Sequence, residues 1–205
     1  MRHLPFVAAL VGALVLVSAL PAFADEAPTP AGTAHEPAGA IASDVPDAVA
    51  ASRPNAHLSL SARGLGFLER HEGFSASLYN DTTGNCTIGY GHLLHHGGCT
   101  AADRRAWPHG ITRARAGQLL RSDASVAERA VRADVTVRLN QHQFDTLVSF
   151  TFNVGTHAFQ TSTLLRVLNQ GHYDQVPAQL MRWTIGGLEN RRRDEVRLWK
   201  YGQYT

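Results

Sequence analysis

Charge of a single sign is nearly absent from this chain. Its 205 residues carry 19 Lys and Arg against 17 Asp and Glu, a net charge of +2. Binding to a phosphate backbone rests on many cationic contacts, so this balance argues against nucleic acid as a partner. Cysteine is also scarce: Cys86 and Cys99 are the only two, so at most one disulfide can form within the chain. Residues 25–57 lack aromatic side chains but hold Pro28, Pro30, Pro37, Pro46 and Pro54. Such a segment has little to bury and reads as a disordered Ala/Pro-rich linker. Ahead of it, Leu4 to Leu20 is apolar but falls somewhat short of the ~20 residues of a full membrane span. Arg2 and His3 precede this run, and Pro21-Ala22-Phe23-Ala24 ends in an A-x-A pattern. Residues 1–24 therefore read as a signal peptide cleaved before Asp25, with an uncleaved membrane anchor as the alternative. The globular part is expected over 58–205, and a hydrophobic content of 44% suits a packed core.

The most informative stretch runs from Glu72 to His92. Leu65, Leu68 and Glu72 fall at i, i+3 and i+7, which places Glu72 at the end of a helix on its apolar side. Ser61 is a candidate N-cap and Gly73 a C-terminal stop. Partial burial and a helix C-terminus both disfavour a negative charge, which suits a carboxyl that must hold a proton. Asp81 follows the strand expected at Ser77–Asn80. It precedes the turn Thr82-Thr83-Gly84-Asn85, where water can keep it ionised. Thr87 lies on the return strand, expected at Cys86–Tyr90, where its hydroxyl can hold a water molecule. Two carboxyls in unlike surroundings are what acid–base hydrolysis of a glycosidic bond requires.

Glu72, Asp81 and Thr87, followed by Ile88-Gly89-Tyr90-Gly91-His92, resemble the phage-type lysozyme and endolysin family, glycoside hydrolase family 24. The stretch from Leu139 to Gly155 also matches, as do Ser162-Thr163-Leu164-Leu165 and the tail with Gly187-Leu188, Arg191-Arg192, Glu195 and Leu198-Trp199. The resemblance covers residues 58–202. It implies an α+β, lysozyme-like fold, with a small β-hairpin lobe and a larger, mainly helical lobe joined by a long helix. It also implies Glu72 as general acid, with Asp81 and Thr87 positioning water. Tyr90, His92, Asn153, Gln160, Arg191 and Arg192 are candidates for binding substrate or supporting the site. Either Arg191 or Arg192 can pair with Glu72. Gly89 and Gly91 would let backbone or sugar come close.

In an exported protein the pair Cys86 and Cys99 suggests a disulfide bracing the Thr87 strand. The rival is a zinc site using His92, His95, His96 and Cys99, although that spacing fits no familiar zinc template and the family is metal-free. Leu93–Trp107 reads as a loop or irregular helix, which Trp107-Pro108 ends. Thr112 can cap a long helix to about Ala133, with its arginines mostly in solvent. Asn140 with Gln143 reads as a capping box for a helix stopping near Gly155. Thr161 or Ser162 starts the next helix. Asp174 is expected to cap another, with Pro177 in its first turn. A final helix follows Leu188, with Leu188, Arg192, Glu195 and Trp199 on one face.

The implied activity is that of a muramidase, cleaving the β-1,4 bond between N-acetylmuramic acid and N-acetylglucosamine with inversion. Its partner would be the glycan strands of peptidoglycan, met as a monomer and without a cofactor, and a mildly basic protein is drawn to anionic walls. Membrane contact would be transient, through the N-terminal segment, with a secreted or periplasmic destination. The alternatives are a lytic transglycosylase and a non-catalytic peptidoglycan-binding protein.

Overall fold

Helix α1, Ala62–Glu72, carries the expected acid at its last residue. The computed structural model describes residues 53–204. The signal segment expected at 1–24, and the linker as far as residue 52, lie outside the described residues. The Ser61 hydroxyl accepts the Gly64 N–H, and Gly73 ends the helix with φ 71°. Phe67 and Leu68 are fully buried on its inner side.

Within residues 53–57, which the sequence reading gave to the linker, Asn55 packs on the domain. Asn55 is fully buried. Its Nδ2 donates to Val137 O at 2.9 Å and Val135 O at 3.3 Å, and its Oδ1 accepts from Leu139 N at 2.9 Å. One side-chain amide thus satisfies three backbone groups of the connection over residues 135–140 and fixes the chain ahead of α1.

The sheet has three antiparallel strands in the order β1 (Ser75–Asn80), β2 (Cys86–Gly89) and β3 (His92–His95). Tyr79 pairs with Thr87, and Ile88 with His92. This corrects the sequence reading, which placed a two-stranded hairpin here and a loop or irregular helix from Leu93. His92–His95 is too short to display an alternation of its own; docking on β2 makes it a strand. Helix α2, Ala101–Ala106, follows, opened by a capping box between Thr100 and Asp103. That T-x-x-D signal was present in the sequence.

Helix α3, Arg113–Asp134, starts at the Thr112 cap and runs from the sheet into the helical region. Its arginines are not all in solvent. Arg121 Nη1 donates to Leu60 O at 2.9 Å, and Arg132 Nη1 donates to Leu58 O at 3.0 Å and to Glu128. Long cationic stems here hold the segment before α1. Gly89 marks the contact between sheet and α3. A Cβ there would lie 2.9 Å from the Ala116 Cβ, and its φ is +69°. The close approach that this glycine permits is therefore to a helix.

Helix α4, Gln141–Val154, opens with the Asn140–Gln143 capping box and buries Phe144, Leu147, Val148 and Phe150. Around it lie α5 (Thr156–Gln160), α6 (Thr163–Asn169, capped by Ser162), α7 (Val176–Leu180) and α8 (Glu189–Tyr201). Asp174 is not a cap: it lies inside a 3₁₀ turn, Tyr173–Gln175, that leads directly into α7. Among the described residues, no helix is long and apolar enough to cross a membrane.

Candidate active site

The end of α1 and the middle of α8 meet at an ion pair. Arg191 Nη1 donates to Glu72 Oε1 at 2.7 Å, and the side chains are 6% and 14% exposed. Of the two arginines proposed from the sequence, Arg191 makes this contact. Its Nε also reaches Glu195 Oε1 at 3.3 Å, and its Nη2 donates to Ser149 O at 3.1 Å. Arg192 faces the core instead. It bonds Glu195 and Asn153 Oδ1, donates through Nε to Trp183 O at 3.1 Å, and lies over the Phe150 ring. Burial works against the charge on both arginines. The carboxylates of Glu72 and Glu195 outweigh burial at Arg191, whose pKa is raised. Burial prevails at Arg192, whose pKa is lowered.

The turn after β1 shapes Asp81. Its Oδ1 accepts the Thr83 N–H at 2.8 Å, the Thr83 hydroxyl at 2.8 Å and the Asn85 N–H at 2.9 Å. Among the described residues its Oδ2 meets only the Asn85 amide, at 3.5 Å, a weak contact. Desolvation tends to raise its pKa, but the Asn85 and Thr83 donors outweigh this and hold the carboxyl below the usual range. One oxygen is thus spent on the turn and the other is left to accept. Thr87, buried on β2, donates its hydroxyl to Asn85 O at 3.1 Å and keeps its lone pairs.

Asn85 joins this turn to the next loop. Its Nδ2 donates to Thr83 Oγ1 at 2.6 Å, and its Oδ1 accepts from Gly97 N at 3.1 Å. The disulfide Cys86–Cys99 closes the same loop, and Asn80 Oδ1 accepts Cys99 N at 2.8 Å. Because the Cys99 sulfur is bonded to Cys86, the zinc alternative loses its thiolate. Cys86, His95 and Asp103 also come together, but again the sulfur is in the disulfide, and His95 Nε2 lies 3.0 Å from Asp103 Oδ2.

Sequence reasoning missed Tyr79 and His71. Tyr79 lies near the end of β1, two residues before Asp81, a spacing that could have pointed to it. Its pKa is raised by burial and then by the charges of Asp81 and Glu72. His71 packs on the Phe67 ring, with centroids 4.6 Å apart. Burial, followed by the Arg191 charge, lowers its pKa to about 4.

A cavity of about 660 Å³ opens beside Glu72 and is lined also by Glu69, His71, Phe74, Tyr79 and Tyr90. Asp81 and Thr87 do not line it. Tyr90 is buried against Phe74 and receives a long contact from Arg113 Nη1 at 3.5 Å. His92 Nδ1 lies 2.9 Å from Asp123 Oδ2 and ties β3 to α3. Asn153 serves Arg192, as described. Gln160 stands apart: it is exposed and donates to Asp134 Oδ2 at 2.9 Å, at the far end of α3.

Residues 69–195 match the family described as Phage lysozyme. The chain is 35% identical over 145 residues to the endolysin of Salmonella phage P22, a match covering 68% of this chain and 97% of that protein. It is 33% identical over 138 residues to the SAR-endolysin of Enterobacteria phage PA-2, covering 64% of this chain and 79% of that protein. Among solved structures it resembles the endolysin from Escherichia coli O157:H7 phage FAHEc1, with a TM-score of 0.64 and 30% identity; that match covers 73% of this chain and 98% of the other.

Proposed function

The chain belongs to the phage lysozyme family of glycoside hydrolases, and from that premise we propose a muramidase with Glu72 as its general acid. Its substrate is peptidoglycan, and the bond cleaved is the β-1,4 link between N-acetylmuramic acid and N-acetylglucosamine. Glu72 delivers a proton to the leaving oxygen. Asp81, through the oxygen left free by its turn, accepts a proton from the attacking water, and Thr87 helps to hold that water. Attack from the face opposite the leaving group inverts the anomeric centre.

The observation that carries this reading is the unlike treatment of the two carboxyls. Glu72 is enclosed at a helix end against Arg191. Asp81 is kept ionised by donors on one oxygen alone. No cofactor enters the scheme. The chain acts as a monomer exported through its N-terminal segment; relatives named SAR-endolysins support such an export route.

The test is digestion of purified peptidoglycan, with mass spectrometry of the fragments. Reducing N-acetylmuramic ends are expected, and Glu72→Gln should abolish their release while leaving the fold intact. Anhydro-muramyl ends would point instead to a lytic transglycosylase. Binding to the wall without cleavage would point to a non-catalytic wall protein.

A further inference from the structure

Glu195 is fully enclosed, yet it is a carboxylate and lies one helical turn beyond Arg191. Its Oε1 accepts the Ser149 hydroxyl at 2.8 Å and faces Arg191 Nε at 3.3 Å, while its Oε2 bonds Arg192 Nη1. Arg191 is therefore shared. One edge of its guanidinium faces Glu72 in the site, and the other faces Glu195 in the core. The order Glu72, Arg191, Glu195, Arg192 alternates in charge from the cavity wall inward. Burial strengthens each link, because little water intervenes to screen it.

We infer that Glu195 is a positioning residue for the proton cycle of Glu72: it draws part of the Arg191 charge into the core, and Arg192 sets how much. This rests on the muramidase reading above. Glu72 must hold a proton before attack and recover it afterwards. A guanidinium committed wholly to Glu72 would keep it anionic. A second carboxylate on the same guanidinium lessens that hold, and Arg192 competes for that carboxylate. Other charged and titratable groups lie around this network. They are Glu69, Arg70 and His71 on α1, Tyr79 and Asp81 at the sheet, Arg113 on α3 and Asp194 on α8. From α4, the contacts to the network are the neutral Ser149 and Asn153.

Two variants should act in opposite directions. Glu195→Gln releases Arg191 toward Glu72, so the alkaline limb of the kcat/KM profile moves to lower pH, by about one unit. Arg192→Gln leaves Glu195 wholly to Arg191, so the limb moves to higher pH. A residue needed only for packing would lower the rate without moving the limb. Glu195→Asp keeps the charge and should restore the limb toward its original position, whatever its effect on kcat.

Should Glu195→Gln fail to fold, the double variant Glu195→Gln with Arg192→Gln keeps the network neutral, and its limb should still fall below that of the parent. The same shifts should appear in the titration of the Glu72 carboxyl carbon followed by NMR, which needs no activity. Unmoved titrations, or shifts of both single variants in one direction, would overturn the inference. If the NMR shifts are as expected but the parent releases no reducing ends, the coupling stands and the muramidase reading falls.

Discussion

Glu72 and Asp81 carry the same acid group in unlike surroundings. Among the described residues no cation contacts Asp81, whose charge is held by the Thr83 and Asn85 donors. Replacing it with Asn should lower wall hydrolysis by at least about a hundredfold, the scale of a lost general base, while circular dichroism remains that of the parent. His71 behaves differently. Burial and then the Arg191 charge lower its pKa from the ordinary 6.5 of a histidine to about 4. Between those values the unfolded chain binds more protons, so stability falls as pH drops from about 6.5 to about 4 and levels off below. Urea titrations across that range should show the loss, and His71→Phe should flatten its slope. An unchanged slope in the variant would place the acid sensitivity elsewhere. Asn55 gives a third expectation. Asn55→Ala strands buried backbone groups at Val137 and Leu139 and should cost about 3 kcal/mol in chemical denaturation.

The disulfide is the clearest test at the scale of elements. Cys86 and Cys99 are 13 positions apart, and the loop between them contains β3. Chain entropy alone makes the bond worth about 3 kcal/mol. Reduction, or the double change to Ser, should lower stability by about that amount, and should also loosen Asn85, which hydrogen-bonds Gly97 inside the loop. Hydrogen exchange at the Asn85 and Gly97 amides would report it. Helices α1, α3 and α4 were legible because each combines a side-chain cap with an apolar stripe: Ser61, Thr112 and Asn140 all cap as their sequence positions suggest. β3 and the 3₁₀ turn were not. Each is too short for its own periodicity to speak, and a neighbour fixes its conformation.

Across the whole molecule, sheet and helices are coupled through α3, and Gly89 is a tight point of that contact. Gly89→Ala combines a positive φ with a Cβ pressed on Ala116. It should cost about 3 kcal/mol from backbone strain and overpacking together, seen as a lower midpoint in thermal unfolding. What the chain determined by itself was local. The Glu72, Asp81 and Thr87 spacing, the caps and the solitary cysteine pair are properties of neighbours in sequence. They pointed to the candidate chemistry, and the family resemblance they support implied the α+β, lysozyme-like fold. Only the tertiary structure decided which arginine meets Glu72, that Gly89 makes room for a helix, that Asn55 belongs to the domain, and that Tyr79 lines the cavity beside Glu72. The pair Arg191 and Glu72 is separated by 119 positions. No local pattern can choose between Arg191 and Arg192, because adjacent helical residues point about 100° apart, and the packing of α8 on α4 selects the one that faces the site.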